Sequence, residues 1–333
     1  MRRHYIRELT QGMSVDAVFA VCGKEMRCTR SGDAFLSLEV SDRSGRMPAV
    51  FFRPTPEAST VPSGAVVRIE GTVTAYRGVK RIAVDRMRPV DTYDSSELLQ
   101  ASRRDLGEVV DGFKGVAASV KNRSLRKVLK AVFGDEEFFA RFIECPGARA
   151  HHHAYLGGLI EHTLAVATVC GSLGPLYDRV DTDLLVTVAL LHDIGKVDEL
   201  AYESTVTYTD EGRLLGHVVL GERRMREAVL QSRSTIPSEL LTKISHAMLS
   251  HHGELEWGAP RRPSTIEALL LHHADNLDAK ADGFLSVTGG ASLADERWTD
   301  ASNLFRRPLW APSPVVEERP MPAEEDAHQL VRA

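Results

Sequence analysis

The histidines of this chain are concentrated. Eleven of thirteen fall between residues 151 and 273 of 333. Two adjacent pairs stand out: His192–Asp193 within LLHDIGK (190–196) and His251–His252 within LSHHGELEWGAP. With His162, His217 and Asp275 they form a set whose residue types could hold metal. Histidine is the commonest metal ligand. A carboxylate has two oxygens, so Asp193 could bridge two cations, with His192 completing one of them. Mixed nitrogen and oxygen ligation suits Mn, Fe, Co, Ni or Zn better than Ca or Mg. Burying an imidazole beside a carboxylate is costly unless something pairs with them, and a cation is such a partner. The remaining candidates read more plainly. His246, His272 and His273 read as ordinary core or surface residues, and His151 to His153 as a solvated loop. Asp278 reads either as a ligand or as a cap or salt-bridge partner.

Each candidate lies on or beside a segment of helical period. DTDLLVTVALLHD reads as a helix capped near Asp181 or Thr182 and ended near Gly195. SELLTKISHAMLSHHG reads as another, stopped by Gly253. STIEALLLHHADNLDAKADGF opens on a capping box, Ser264 to Glu267, directly after Pro263. Helical bundles build metal sites from inward-facing side chains on different helices. Neighbours on a helix diverge by about 100°, so His192 and Asp193 do not pack on each other, yet from a helix end both reach one site.

The front of the chain has a different period. AFLSLEVSD alternates, with Leu36, Leu38 and Val40 on one face and Phe35, Ser37 and Glu39 on the other. DRSG (42–45) is turn chemistry. PAVFFR, AVVRIEGTVTAYRG and VKRIAVDRMRPV read as further strands, the last two joined through Gly78, with no helical run among them. Short strands separated by turns predict a small barrel or sandwich. The expected chain is therefore multidomain: an all-β unit at 1–90, a linker and helical lead-in at 91–150, an all-α bundle at 151–290, and an extension at 291–333. Residues 306–333, rich in Pro and Glu, read as disordered or loosely attached.

The combination of His162, His192–Asp193 and Asp275 resembles the HD superfamily of metal-dependent phosphohydrolases. HHAYLGGLIEHT, LLHDIGKVDEL, YTDEGRLLGH, LSHHGELEWGAPRRP and HHADNLDAKADG are similar to the YhaM family of bacterial 3′→5′ exoribonucleases, over roughly residues 10–285. That family places an OB-fold module before its HD domain, and FLSLEVSDRSGRMPAVFF is similar to the middle strands of such a module. The resemblance implies an N-terminal OB-fold barrel followed by an HD-domain helical bundle. It implies that His162, His192, Asp193 and Asp275 hold one metal and that His217, His251 and His252 hold a second, with Asp193 shared. Manganese is expected first, then Co, Fe, Ni or Zn. The 3′→5′ polarity rests on the resemblance alone. GELEWGAP stands where the neighbouring cyclic-di-GMP phosphodiesterases carry a Gly-Tyr-Pro signature.

Charge divides the same way. Residues 1–90 carry fifteen Lys/Arg and nine Asp/Glu, a balance of +6 in a chain of net charge −5. A basic front suits a polyanion. Phe35 and Tyr76 point away from the apolar face, near Arg68, Arg77, Lys80 and Arg81, the ingredients of a stacking platform in a basic groove; Phe35 reads alternatively as cover for a barrel end or a domain interface. Lys196 reads either as a contact to a phosphate oxygen or as a solvent-facing residue at a helix end. The expected partner is single-stranded RNA, with single-stranded DNA and a homo-oligomer left open. Rival readings are a phosphohydrolase of free or cyclic nucleotides with a regulatory barrel, and a non-catalytic nucleic-acid-binding protein with a structural metal. Four cysteines without a CxxC suit a reducing cytosol, MRRHYIREL lacks a signal-peptide core, and no apolar run suggests a membrane span. A cytoplasmic protein is expected.

Overall fold

A computed structural model describes residues 4–29, 32–76, 79–102, 104–149, 153–289, 297–301 and 303–311. Strands β1 (Ser14–Cys28), β2 (Ala34–Asp42), β3 (Gly45–Phe52), β4 (Val66–Tyr76) and β5 (Val79–Pro89) close into a barrel in the order β1-β2-β3-β5-β4. The closing pair is parallel, with Ala49 opposite Ile82 on β3 and β5. The alternation read from β2 holds: Leu36, Leu38 and Val40 are buried with Phe19, Phe51, Ile69 and Ile82, while Glu39 faces out. The longest strand, β1, gave no separate signal, because its last five residues are exposed. One helix does interrupt the barrel, contrary to expectation. This is α1 (Pro56–Thr60), capped by the Thr55 hydroxyl, which accepts from the Ala58 amide.

The rest is helical: α2 (Leu106–Ser119), α3 (Arg123–Phe133), α4 (Glu136–Glu144), α5 (Gly158–Leu173), α6 (Thr182–Leu191), α7 (Lys196–Glu199), α8 (Asp210–Gln231), α9 (Ser238–Ser250) and α10 (Ile266–Gly289), with a two-residue hairpin of β6 (Leu200–Ala201) and β7 (Thr207–Tyr208). The lead-in expected at 91–150 is more than that. Val109, Phe113, Leu125 and Phe142 share one buried core with Leu159, Leu185, Leu191 and Met248. Asp181 caps α6 as expected, accepting from the Leu184 amide. The box expected at Ser264 is displaced by one residue: the Thr265 hydroxyl accepts from the Ala268 amide, and Glu267 accepts from the Asp181 amide instead. Against expectation, one helix among the described residues, Gly158–Leu176, is long and apolar enough to cross a membrane by length and composition. Half of it is buried, it packs against α6, and it carries the buried His162, so its apolarity serves the core.

Hydrogen bonds join the barrel to the helical part. The Ser204 hydroxyl donates to the Gly64 carbonyl at 2.6 Å, and Arg46 donates to the Arg149 carbonyl at 3.0 Å. Beyond Lys280 the chain forms a separate small unit. There Trp298 bridges to Trp310, and Leu309 and Ala311 are buried. Residues 312–333 lie outside the described residues.

Two glycines set the turn on which the His–Asp pair sits. A Cβ on Gly195 would stand 2.0 Å from the His217 carbonyl oxygen and 2.4 Å from the Gly221 amide nitrogen. Only glycine lets the turn into α7 approach α8 this closely. Gly216 has φ 73° and ψ 155°, which breaks the helical path of α8 immediately before His217 and releases that residue's amide from the helix ladder. Gly195→Ala is therefore expected to part α7 from α8, destabilising the fold by about 1–3 kcal/mol, the usual range for overpacking. Urea unfolding measures the loss, and an unchanged midpoint would refute the close-packing argument.

Candidate metal centre

His192 and His251 are positioned by one local device. Each caps its helix, α6 or α9, and each folds its ring back so that Nδ1 donates to the carbonyl three residues earlier: Ala189 at 2.7 Å for His192, Met248 at 2.7 Å for His251. Those carbonyls belong to the last turn, where helix hydrogen bonds run out. A carbonyl only accepts, so Nδ1 carries the proton and Nε2 presents a lone pair. His252 repeats the arrangement, with Nδ1 on the Trp257 carbonyl at 2.9 Å. Carboxylates hold the other two rings. Asp278 Oδ2 takes His162 Nδ1 at 2.7 Å, and Glu199 Oε1 takes both Nδ1 and the freed backbone amide of His217 at 3.0 Å. Five imidazoles thus turn Nε2 toward one place.

Asp193 lies in the middle, 2% exposed. Its Oδ2 is 3.4 Å from His162 Nε2 and 3.3 Å from His192 Nε2. Its Oδ1 is 3.4 Å from His217 Nε2 and 3.6 Å from His251 Nε2. Asp275 Oδ1 joins the first group, 3.2 Å from His162 Nε2, and His252 Nε2 joins the second, 3.2 Å from His217 Nε2. The two groups are those expected to share Asp193, and all seven candidate ligands come together.

The donor chemistry fits divalent cations. Ligands bound at about 2.0–2.2 Å with tetrahedral angles lie roughly 3.2–3.6 Å apart, the spacing found here. Among the described residues His251 Nε2 is buried without a hydrogen-bond partner, which a cation would supply. In both pairs facing each other at 3.2 Å, His162 with His192 and His217 with His252, the atoms that meet are both ring nitrogens. Carboxylates and carbonyls that accept the other ring N–H are the usual outer partners of metal-binding histidines.

Electrostatics point the same way. Burial, and then the neighbouring His252 and His192, hold His251 well below the usual histidine range, in the neutral form that can ligate. Burial raises the Asp193 carboxyl, but Lys196 and His192 outweigh it and keep the group ionised. Burial likewise opposes charge on His162, and Asp193, Asp275 and Asp278 more than reverse it. A proton and a cation compete for that Nε2. The Lys196 ammonium lies 2.6 Å from Asp193 Oδ2 and its side chain is 12% exposed. It is not the solvent-facing residue of one reading; it pairs with the shared carboxylate.

Several positions differ from the sequence reading. His153 is buried at φ 50°, bonded to Asp278 at 3.0 Å and to the Tyr155 hydroxyl at 3.0 Å, and so is no solvated loop residue; His151 and His152 lie outside the described residues. Tyr155 donates to Glu161, which also takes Ser102. Asp278 proves to be the orienting partner of His162. Glu199 was missed; its only signal was its place four residues after Gly195. His246 accepts from the Ser264 amide and His272 donates to the His251 carbonyl, both structural roles.

On the barrel, the β2–β3 face and the loops flanking it are where OB folds bind oligonucleotides. Phe35, half-buried, packs on Phe52 at 5.6 Å, and Phe52 is itself 51% exposed and was overlooked. Tyr76 is 53% exposed at the β4–β5 turn, with the Arg81 guanidinium 4.6 Å over its ring. Arg68 is paired with Asp16 on β1, whose two oxygens accept from it at 2.6 and 2.7 Å. The Lys80 ammonium donates to the Leu9 carbonyl at 3.2 Å, and Arg77 lies outside the described residues.

Comparison with known proteins agrees with this division. The HD domain model matches residues 159–280, and an OB-fold nucleic acid binding domain model matches residues 19–90. The chain is 31% identical to the 3′-5′ exoribonuclease YhaM of Halalkalibacterium halodurans over 81% of its own length and 84% of the relative's. It is 31% identical to the Bacillus subtilis YhaM over 81% and 86%, and 32% identical to that of Listeria welshimeri over 75% and 80%. Among solved structures, the second OB-fold domain of replication protein A from Methanococcus maripaludis aligns with 28% of this chain and 99% of its own at 19% identity, with a TM-score of 0.24. With relatives matched at this identity across four-fifths of its length, the chain belongs to the YhaM family of 3′-5′ exoribonucleases.

Proposed function

We propose that this protein is a metal-dependent 3′→5′ exoribonuclease of the cytoplasm that hydrolyses the phosphodiester bonds of single-stranded RNA. One observation carries the reading: the two oxygens of a single buried carboxylate, Asp193, face two separate sets of imidazole Nε2 atoms. His162, His192, Asp193 and Asp275 would hold one divalent cation, and His217, His251, His252 and Asp193 a second, with manganese the first candidate. Such cations supply Lewis acidity, which lowers the pKa of water to ~7 and neutralises charge on a phosphoryl group. The chain's own residues do the rest. Asp278 and Glu199 fix which nitrogen of His162 and His217 carries the proton. Lys196 holds the bridging carboxylate ionised and in place. The barrel grips the strand through Phe35, Phe52 and Tyr76, with Arg81 supplying charge beside Tyr76. The test is purified protein with end-labelled single-stranded RNA and Mn²⁺. Label at the 5′ end should give a descending ladder, and label at the 3′ end a mononucleotide at once. Binding without cleavage would favour the non-catalytic reading, and turnover of free nucleotides alone the nucleotide phosphohydrolase.

Asp193→Ala removes a ligand from both sets. It should abolish cleavage and lower bound metal while the helical circular dichroism persists; near-normal activity with normal metal content refutes the bridge. Glu199→Ala and Asp278→Ala act one atom further out and should weaken metal binding by about 10- to 100-fold. Titration with Mn²⁺ followed by activity measures this, and wild-type affinity in both variants would deny the orienting role. On the barrel, Phe35→Ala with Phe52→Ala should cost about 1–3 kcal/mol of RNA affinity per base stacked, with cleavage of a dinucleotide little altered. Binding measured with metal withheld decides the matter, and unchanged affinity would place the strand elsewhere.

A further inference from the structure

The loop that leaves the second set of histidines carries residues the chemistry above does not use. After His252 the chain forms a single 3-10 turn, Leu255–Trp257, and returns along α9 to Ser264, whose amide donates to His246 Nε2 at 2.8 Å. The Trp257 carbonyl holds His252, as described, but its indole is 54% exposed and rests on one side 5.8 Å from the His272 ring. An exposed tryptophan is thus fixed, through its own backbone, beside a metal-ligand candidate. Further along the loop lies an open cavity of about 670 Å³, whose lining includes Lys243, His246, Leu255, Arg261, Arg262 and Thr265. Lys243 pairs with Glu239 at 2.8 Å and Arg262 with Glu254 at 3.0 Å. Both pairs are solvent-exposed, the kind worth little and readily exchanged. Arg261 makes no ion pair among the described residues. No carboxylate is among the described residues that line the cavity.

We infer that this loop and the flank of α9 form a second strand-binding site, separate from the barrel. Trp257 stacks a base at the edge of the metal centre, and the Lys243–Arg261–Arg262 cavity takes the phosphodiester backbone of the adjoining nucleotides. The inference rests on the exoribonuclease reading for its substrate. An exposed indole next to converging cations is the general pattern of sequence-independent single-strand binding: every base has a π-face to stack and every linkage has a charge to neutralise. It gives a short substrate, unable to span to the barrel, something to hold.

The experiment compares wild type with Trp257→Ala, Trp257→Phe and Arg261→Ala/Arg262→Ala. Two substrates are used, a five-nucleotide RNA and bis(p-nitrophenyl) phosphate, a small diester that needs the metal centre alone. For Trp257→Ala the ratio of RNA cleavage to small-diester hydrolysis should fall about tenfold, from the loss of one stacked base, carried in KM. Trp257→Phe should recover most of it, because a ring remains. Arg261→Ala/Arg262→Ala should make the salt dependence of RNA binding shallower by up to about 1.4 in the log–log slope, about 0.7 for each phosphate that is no longer neutralised. An unchanged ratio and slope in these variants overturn the site. So does an equal loss on both substrates, which would mark damage to the metal centre. A slope change for AMP binding without one for the RNA would make the cavity a nucleotide site and overturn it as well. If the wild type hydrolyses only the small diester, the exoribonuclease reading fails, and RNA binding by the same variants without metal still decides this inference.

Discussion

The constraint on which the helical domain depends is the burial of Asp193. A carboxylate 2% exposed must be matched by charge or by donors, since isolating it from water costs several kcal/mol or more. One match is Lys196, three residues on, at 2.6 Å. The other would be the cations that the ring of Nε2 lone pairs could hold beside it, and those nitrogens are fixed only because each Nδ1 has been claimed by an acceptor. Two of these acceptors are last-turn carbonyls of α6 and α9. The ends of the two helices therefore serve twice: they finish the hydrogen bonding of the helix and they set the tautomer of the ligand. That is why the motif is a histidine at a helix end followed by a second polar residue, His–Asp in one case and His–His in the other.

The same constraint explains the glycines. For His217 to reach Asp193 from α8, the backbone of α8 must lie against the turn at Gly195, where no Cβ fits. It must also break its helical path at Gly216 to turn the His217 amide toward Glu199. A buried charge at one point thus dictates backbone conformation in two elements. Polar groups inside a low-dielectric core have few acceptable geometries, and the chain meets the demand with glycine at the close approach and carboxylates behind the rings.

What the sequence made legible follows from which information is local. The seven candidate ligands stood at helix ends or on helical periods, and residue type together with those periods brought them into one set. The β2 alternation was equally local. What stayed hidden depended on register between distant segments. Asp16 meets Arg68 only because β1 and β4 pair in the register that sets Val18 opposite Arg68, and a paired cation looks the same in sequence as an unpaired one. Glu199, the last residue of α7, and His153 are defined by how the chain folds around them, not by any spacing. Phe52 read as a strand residue of no special note until it lay opposite Phe35 on the outer face. The direction of Asp278, toward Nδ1 and not Nε2, is a question of one atom, which spacing along α10 cannot answer.

The charge balance ties the two halves together. The barrel segment, residues 1–90, is at +6, and all that follows it is negative enough to bring the whole to −5. A polyanion is repelled by the acidic part at long range and drawn to the barrel, and charge at this scale governs encounter more than final affinity. What the helical part offers in return is local and short-ranged: a donor set built for cations, with an exposed indole and an arginine-lined cavity beside it. The residues that meet the barrel, Ser204 and Arg149, lie in segments that lead directly into α8 and α5, the helices that carry His217 and His162. The elements that receive the barrel are thus continuous in chain with those that hold both sets of ligands, which keeps the connection between grip and chemistry short.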